Sequence, residues 1–384
     1  MTKPELSTRR IGLLATEMAT RGGVQSFMQR VSDVIAGVAE EDSNVRGYCL
    51  SLNDSTEALQ KHPAIPGNLD CWGADRSKKR LIIHAFTAMP RTDILFVGHL
   101  GAGPLAYAMK LLRRVSDYYV ILHGIEAWKR VSALDRRALI SAKKIIATTW
   151  YTAEECGRHN AIPIDRFTVI PLCADERPVT PSTDFHLKGD FKLLCVARQD
   201  TTERYKGFEH TFAAVARLLP TYPQIHFNLV GDGNDQPRLK AVAAQMGVTE
   251  AVTFWGRLSD ADLAAAYQQC DVFVMPSKKE GFGIVFVEAM RNGKPCIGGN
   301  HGGTPDVIEH RQSGYLVEYG DSISLAKGIL AIYSNADMCR QMGERGRALA
   351  EGEFSMRMFS ARFDALMIGT QKYPSGPSTT VSGL

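Results

Sequence analysis

Two glutamates, Glu280 and Glu288, bracket the run Glu-Gly-Phe-Gly-Ile-Val-Phe-Val-Glu directly behind the apolar segment Asp271-Val-Phe-Val-Met-Pro276. The apolar segment reads as a strand and the run after it as the start of a helix. A helix start presents free backbone N–H groups and a partial positive charge, which suits a phosphate. The pattern puts Glu280 just outside the helix and Glu288 about two turns along it, roughly 12 Å further at about 1.5 Å per residue. Carboxylates accept hydrogen bonds from hydroxyls. Gly281 and Gly283 let the backbone approach a ligand closely, and Phe282 and Ile284 stand beside them at the helix entrance. The ligand that fits is extended, with a phosphate in the middle and hydroxyls on both sides, which is the make-up of a nucleotide sugar.

A second constellation lies upstream. The strand Phe191-Lys-Leu-Leu-Cys-Val-Ala ends at Arg198, and Glu203-Arg-Tyr-Lys206-Gly207 follows. Arg198 and Lys206 are two cations on a strand-to-helix loop. Fixed cations in a closed cleft neutralise the charge that grows on a departing diphosphate. Taken singly, the acids fit a helix start and a solvated surface, and the cations a solvated loop. Together they favour one diphosphate site. Further candidates sit at other strand ends. Gly22 and Gly23 precede a helix and offer N–H groups to an anion. His123 ends the strand Tyr119-Val-Ile-Leu, with Glu126 and Trp128 just beyond. Gly231 and Gly233 flank Asp232 after the next strand, and Arg257 follows Trp255-Gly256 beside the expected position of the base. His99 follows an apolar run and is a candidate for the acceptor side.

The set Gly22-Gly23-Val24, His123-Gly124, Arg198…Lys206-Gly207, Gly231-Asp-Gly233 and Glu280-x7-Glu288, in this order, resembles the retaining nucleotide-sugar glycosyltransferases of family 4. The resemblance covers nearly the whole chain. It implies an α/β chain of the GT-B type, with two Rossmann-like domains whose parallel sheets face an interdomain cleft. It implies transfer of a hexose from a nucleotide sugar to a hydroxyl of a saccharide acceptor, with the anomeric configuration kept. A UDP-sugar is favoured as donor and GDP-mannose comes next. By the same resemblance His123, Arg198, Lys206 and Glu280 are catalytic, Glu280 meeting the sugar hydroxyls and His123 the transferred sugar. Glu288 meets the ribose. Gly22, Gly23, Gly231, Gly233, Arg257, Gly281, Phe282, Gly283 and Ile284 complete the donor site, while His99, Glu126 and Trp128 face the acceptor. The leaving phosphate takes the acceptor proton on the same face, and neither a cofactor nor a metal is expected. A sugar-nucleotide 2-epimerase of the same fold and a non-catalytic nucleotide-sugar-binding module are the rival readings. Pro171-Leu-Cys-Ala-Asp175 replaces the Asn-Gly turn that relatives often carry before the linker aspartate.

Two attractive motifs are better read as local structure than as ligand sites. Asp260-Ala-Asp262 looks like a metal-binding Asp-x-Asp, but Ser259 ahead of it makes helix capping the better account. Gly101-Ala-Gly103-Pro-Leu-Ala106 matches a dinucleotide pattern and follows a strand, yet that strand is not the first, and no carboxylate closes a later strand at the expected spacing.

The chain has 384 residues, 45% hydrophobic and 22% charged, the make-up of an ordinary globular protein of two or three domains. Its eight cysteines show no zinc spacing, and reduced thiols in a cytoplasm are expected. Net charge is only +4, but from Cys71 to Lys144 fourteen Lys/Arg stand against five Asp/Glu. Arg76-Ser-Lys-Lys-Arg80 and Lys110-Leu-Leu-Arg-Arg114 lie next to apolar residues. Segment 71–144 is therefore expected to meet an anionic membrane surface, on the inner face of a cytoplasmic membrane with a lipid-linked acceptor. Nucleic acid is not an expected partner.

Apolar runs alternating with helical patterns predict parallel sheets. The expected division is an acceptor-binding domain over 1–174, a linker over 175–190 and a nucleotide-sugar domain over 191–353. A helix over 354–372 is expected to cross back to the first domain, followed by a disordered tail over 373–384.

Overall fold

The structure is a computed structural model that describes residues 8–368; the expected tail over 373–384 lies outside the described residues. The chain runs β1 (Arg9–Ala15), α1 (Gly23–Glu41), β2 (Val45–Ser51), α2 (Thr56–Lys61), β3 (Asp70–Gly73), α3 (Lys78–Thr87) and β4 (Thr92–Val97). It continues through α4 (Gly103–Leu111), β5 (Val115–Leu122), α5 (Ala133–Ser141), β6 (Lys144–Ala147), α6 (Trp150–Asn160) and β7 (Phe167–Val169). These seven strands form one parallel sheet in the order β3-β2-β1-β4-β5-β6-β7.

The second half begins with β8 (Phe191–Val196), α7 (Phe208–Leu218), β9 (Ile225–Val230), α8 (Gln236–Gln245), β10 (Val252–Gly256) and α9 (Asp260–Gln269). Next come β11 (Val272–Met275), α10 (Ile284–Arg291), β12 (Cys296–Gly299), β13 (Gly314–Val317), α11 (Ser322–Tyr333), α12 (Ala336–Glu351) and α13 (Met356–Ile368). Its six strands are also parallel, in the order β10-β9-β8-β11-β12-β13. The fold is α/β, with two doubly wound sheets.

Central strands buried on both faces read as unbroken apolar runs. Tyr118 to Leu122 of β5 and Val272 to Met275 of β11 are all buried. The less apolar β2, Val-Arg-Gly-Tyr-Cys-Leu-Ser, hides its strand character because Gly47 replaces a large residue. A side chain there would stand 2.4 Å from Leu69 and 2.9 Å from Ile35, so the glycine is what lets α1 and the β3 approach pack down.

In both sheets the strand order reverses at one point, between β1 and β4 and between β8 and β11. Loops leaving the strand ends at such a reversal splay apart and open a crevice, where ligands bind in open α/β sheets. Helix α13 closes the first half although it comes from the end of the described chain. Its Phe359 and Phe363 pack edge-on or tilted against Phe27 of α1 and against each other, and Tyr119 donates to the Leu366 carbonyl oxygen at 2.9 Å.

Candidate active site between the two sheets

Lys206 and Glu280 meet at the second reversal point. Lys206 lies at the end of the turn between β8 and α7, where Gly207 adopts φ 80° and packs against the Pro276 backbone. A Cβ on Gly207 would stand 2.5 Å from the Pro276 carbonyl oxygen, so only glycine brings these two loops this close. Lys206 Nζ reaches Glu280 Oε1 at 2.5 Å, with the two side chains only 14% and 11% exposed. Burial alone would lower the Lys206 pKa. The charge and hydrogen bond of Glu280 overcome that and hold it above the ordinary lysine value. Arg198, by contrast, is 78% exposed and ion-paired with Glu203.

Helix α10 begins at Ile284, capped by Gly283 in the left-handed conformation at φ 84°. That cap stops the helix from extending back through Phe282 and Gly281. Glu288 therefore sits about one turn into the helix rather than the two turns expected from sequence. Tyr267 of α9 donates its hydroxyl to Glu288 Oε2 at 2.6 Å. Burial raises the Glu288 pKa, and the Tyr267 hydrogen bond opposes the rise in part. Gly231 and Gly233 lie on the loop after β9, folded over the backbone of Ala197 and Gln199. Arg257 is exposed and pairs with Asp232 at 3.3 Å.

The first sheet meets this wall. His123 follows β5, and its Nε2 lies 2.8 Å from the Gly98 carbonyl oxygen, while its backbone N–H donates to Glu126 at 2.5 Å. Burial pushes the His123 pKa down, against the pull of Glu126, so the ring is neutral around pH 7. Gly281 touches His123 and Gly124 directly: a Cβ on Gly281 would stand 2.0 Å from the His123 carbonyl oxygen. Gly23, at the start of α1, faces Ile284, whose side chain lies 3.9 Å from where a Cβ would project. Gly22 is the residue ahead of the helix. Trp128 donates its indole N–H to Thr152 at 3.1 Å and edges toward Gly302. His99 spends Nδ1 on the Gly101 N–H at 3.0 Å, capping the turn before α4.

Four contacts across the cleft involve residues outside the sequence motifs. Thr149 donates to the Gly281 carbonyl oxygen at 3.1 Å. Asp306 accepts from the Tyr151 N–H at 3.1 Å, placing a carboxylate at the start of α6. Arg21 pairs with Asp260 at 2.8 Å. Gly303 packs against Thr149, where a Cβ would come within 2.7 Å of its methyl. The doublet Gly302-Gly303 is a readable sign of close backbone approach; Tyr267 carries none. Capping does account for Asp262, whose N–H donates to Ser259 at 3.1 Å. Among the described residues no three His, Cys, Asp or Glu side chains gather as a metal-binding group.

This geometry, two parallel α/β sheets with their switch points facing across a cleft, defines the GT-B class of fold. Solved structures share it. Anabaena Alr3699/HepE, in complex with UDP, superposes with a TM-score of 0.76 at 19% identity, covering 94% of this chain and 100% of that one. Residues 184–349 match the family of glycosyl transferases group 1. N-acetyl-alpha-D-glucosaminyl L-malate synthase of Bacillus anthracis is 32% identical over 138 residues, 36% of each chain. GDP-mannose-dependent alpha-(1-6)-phosphatidylinositol monomannoside mannosyltransferase of Mycobacterium tuberculosis is 28% identical over 280 residues, 71% of this chain and 68% of that protein. This chain thus spans little more than a third of the length of the Bacillus anthracis relative. Over residues 184–349 the chain is thus similar to the glycosyl transferases of group 1, and its longer matches are to proteins named as glycosyltransferases.

Proposed function

We propose that this chain is a retaining glycosyltransferase that moves a hexose from a nucleotide sugar to a saccharide hydroxyl, working without a metal. The observation that carries this reading is the meeting of the buried Lys206–Glu280 pair with His123 and Gly124 across Gly281. Charged groups stand on one wall and a neutral, tightly packed wall closes on them.

The second half, 191–353, binds the donor. Lys206, Arg198 and the N–H groups opening α10 hold the diphosphate. Glu280 turns from Lys206 to the sugar hydroxyls, Glu288 holds the ribose, and the loops carrying Gly231, Gly233 and Arg257 border the base. The first half, 1–174, brings the acceptor hydroxyl past His123, with Glu126, Trp128 and His99 on the acceptor side. Closure aligns the two substrates and excludes water, so the catalysis comes from position and fixed charge. The leaving phosphate accepts the acceptor proton on the face from which it departs. UDP and UDP-glucose complexes of structural neighbours and a GDP-mannose-dependent relative support a nucleotide-sugar donor, UDP-linked first.

A lipid-linked acceptor and a membrane surface belong to the same proposal. Helices α3, α4 and α5 pack side by side on one face of the first sheet. Their outer side exposes Ile82, Ile83, Leu111 and Leu112 next to Lys79, Arg80 and Arg113. Apolar side chains ringed by cations suit anionic headgroups. Among the described residues no helix is long and apolar enough to cross a membrane.

The test is a donor panel: UDP-glucose, UDP-galactose, UDP-N-acetylglucosamine and GDP-mannose, read by thermal shift and by release of nucleoside diphosphate. A donor that binds the native state raises the melting point by mass action. One donor that shifts the melting point and is slowly hydrolysed supports the reading. A folded sample that responds to none of them sinks it, and an epimerised sugar would replace it.

A further inference from the structure

Away from the cleft, the edge of the first sheet holds two cysteines face to face. Strands β2 and β3 pair in parallel with Cys49 opposite Cys71. Neighbouring strands lie about 4.8 Å apart, within the range of about 4.4–6.8 Å that Cα atoms span across a disulfide. β3 is the outermost strand and only four residues long, so it can shift to let the sulfurs join.

The two thiols have different surroundings. Cys49 is fully buried, with its Sγ 3.1 Å from the Met18 sulfur. Contact with Cys71 and burial raise its pKa. Cys71 is partly exposed and lines an open cavity of about 590 Å³ with Trp72, His84, Tyr48, Asp70 and Gln60. The neighbouring Cys49 thiol lowers the Cys71 pKa, favouring its thiolate. A reachable thiol of lowered pKa beside a buried second thiol is the arrangement of an attacking and a resolving cysteine. Among the eight free cysteines, Cys339 is the other one not fully buried, and burial raises its pKa.

We propose that Cys71 and Cys49 are a reversible oxidation site that takes up small disulfides, such as oxidised glutathione, through the cavity beside Trp72. The Cys71 thiolate attacks one sulfur of the small disulfide, forming a mixed disulfide and releasing one thiolate. Cys49 loses its proton and attacks the Cys71 sulfur, closing the Cys49–Cys71 bond and releasing the second thiolate. Two protein thiols are oxidised, two protons leave, and the small disulfide is reduced to two thiols.

One loop links the site to the cleft. Met18, which touches Cys49, lies on the loop that leads from β1 to Gly22 and Gly23. It is anchored by its N–H to Asp54 at 2.7 Å and by Gln29 to its carbonyl oxygen at 2.7 Å. A bond that draws the Cys49 sulfur toward Cys71 loosens its contact with that loop.

The test treats the full chain with oxidised glutathione under native conditions, blocks the remaining thiols and maps the peptides by mass. The expected product is a peptide joining Cys49 to Cys71, short of two hydrogens and restored by dithiothreitol. Cys49→Ala should leave Cys71 carrying glutathione, because no resolving thiol remains. Cys71→Ser should leave Cys49 unmodified. A native sample that forms no Cys49–Cys71 link, or one in which Cys339 takes glutathione before Cys71, overturns the assignment. The linked peptide is read in unmutated protein, so a variant that fails to fold leaves that readout intact, and none of these readouts depends on the transferase reading.

Discussion

Lys206, Glu280 and Glu288 give the second sheet's wall three ionisable side chains, whereas the first sheet's wall opposes them with His123, Gly124, Gly23 and Thr149. The second wall is built at its sheet's strand-order reversal, after β8 and β11, whereas the first draws on the segments after β1, β5 and β6. On the second wall a cation and a carboxylate neutralise each other out of water, and ligand groups must replace those contacts when they bind. On the first wall the bare backbone of His123 and Gly124 settles against Gly281, while the neutral His123 ring turns to Phe27 and the Gly98 carbonyl oxygen. The difference separates two tasks: one wall handles charge, the other handles fit. A diphosphate leaving group needs the first kind of surface, and an acceptor hydroxyl needs a close, dry approach.

The largest effect should come from the charged wall. Lys206→Ala should lower turnover about a thousandfold, the scale of losing a fixed charge-stabilising group. It also strands buried Glu280 without a partner, which costs about 3–5 kcal/mol of stability. Pairing Lys206→Met with Glu280→Gln should restore the melting point but not the turnover. Near-normal nucleotide release by Lys206→Ala would erase the division of labour.

Next comes the contact between the walls. Gly281→Ala adds a methyl that would stand 2.0 Å from the His123 carbonyl oxygen. Its kcat should fall about a hundredfold, the scale of a misplacement of about 1 Å. Small-angle scattering should report a larger radius of gyration while circular dichroism stays unchanged. An unchanged radius with full activity would mean that this contact is not needed for turnover.

Tyr267→Phe should raise KM for the donor about fivefold through one lost hydrogen bond of about 1 kcal/mol, with kcat nearly unchanged. Its pH signature follows from Glu288, whose pKa stands above the ordinary 4.5 because of burial. The folded chain holds that proton to higher pH than the unfolded chain does. This contribution to stability is therefore present at low pH and lost as pH rises through the raised value. If Glu288 holds the donor as proposed, donor affinity uses the carboxylate, changes the opposite way and is lost as pH falls through that value. Tyr267→Phe removes a bond that lowers the pKa and should move the loss to higher pH; an unmoved KM profile would separate Glu288 from donor binding.

The smallest effect concerns the outer faces. Ile83→Asp combined with Leu112→Asp should weaken cosedimentation with anionic vesicles at low salt and leave turnover of soluble substrates intact. No binding by the unmutated chain would favour a soluble acceptor.

Much of this was legible in the residues. The runs that became β1, β4, β5, β8 and β11 are apolar because parallel strands are buried on both faces, and the motif glycines mark loops of close approach. The edge strands β3 and β13 were not legible, since a short edge strand needs little apolar pattern. The Glu280-x7-Glu288 spacing brought two acids to one helix entrance, but not where that helix begins, which Gly283 sets through a left-handed turn. Arg198 and Lys206 looked equivalent in sequence. Only the tertiary fold buries one and leaves the other in solvent, because burial depends on what packs over a loop from far along the chain.

Helix α13 carries a consequence for how the molecule is made. The first sheet leaves the ribosome first, yet the aromatic packing around Phe27 and Phe96 is completed by Phe359 and Phe363. Until those residues emerge, the earlier half waits with an open apolar face, while the second sheet can assemble from its own strands. The half made first is therefore finished last, and an incomplete chain betrays itself by a sticky surface that chaperones and proteases recognise.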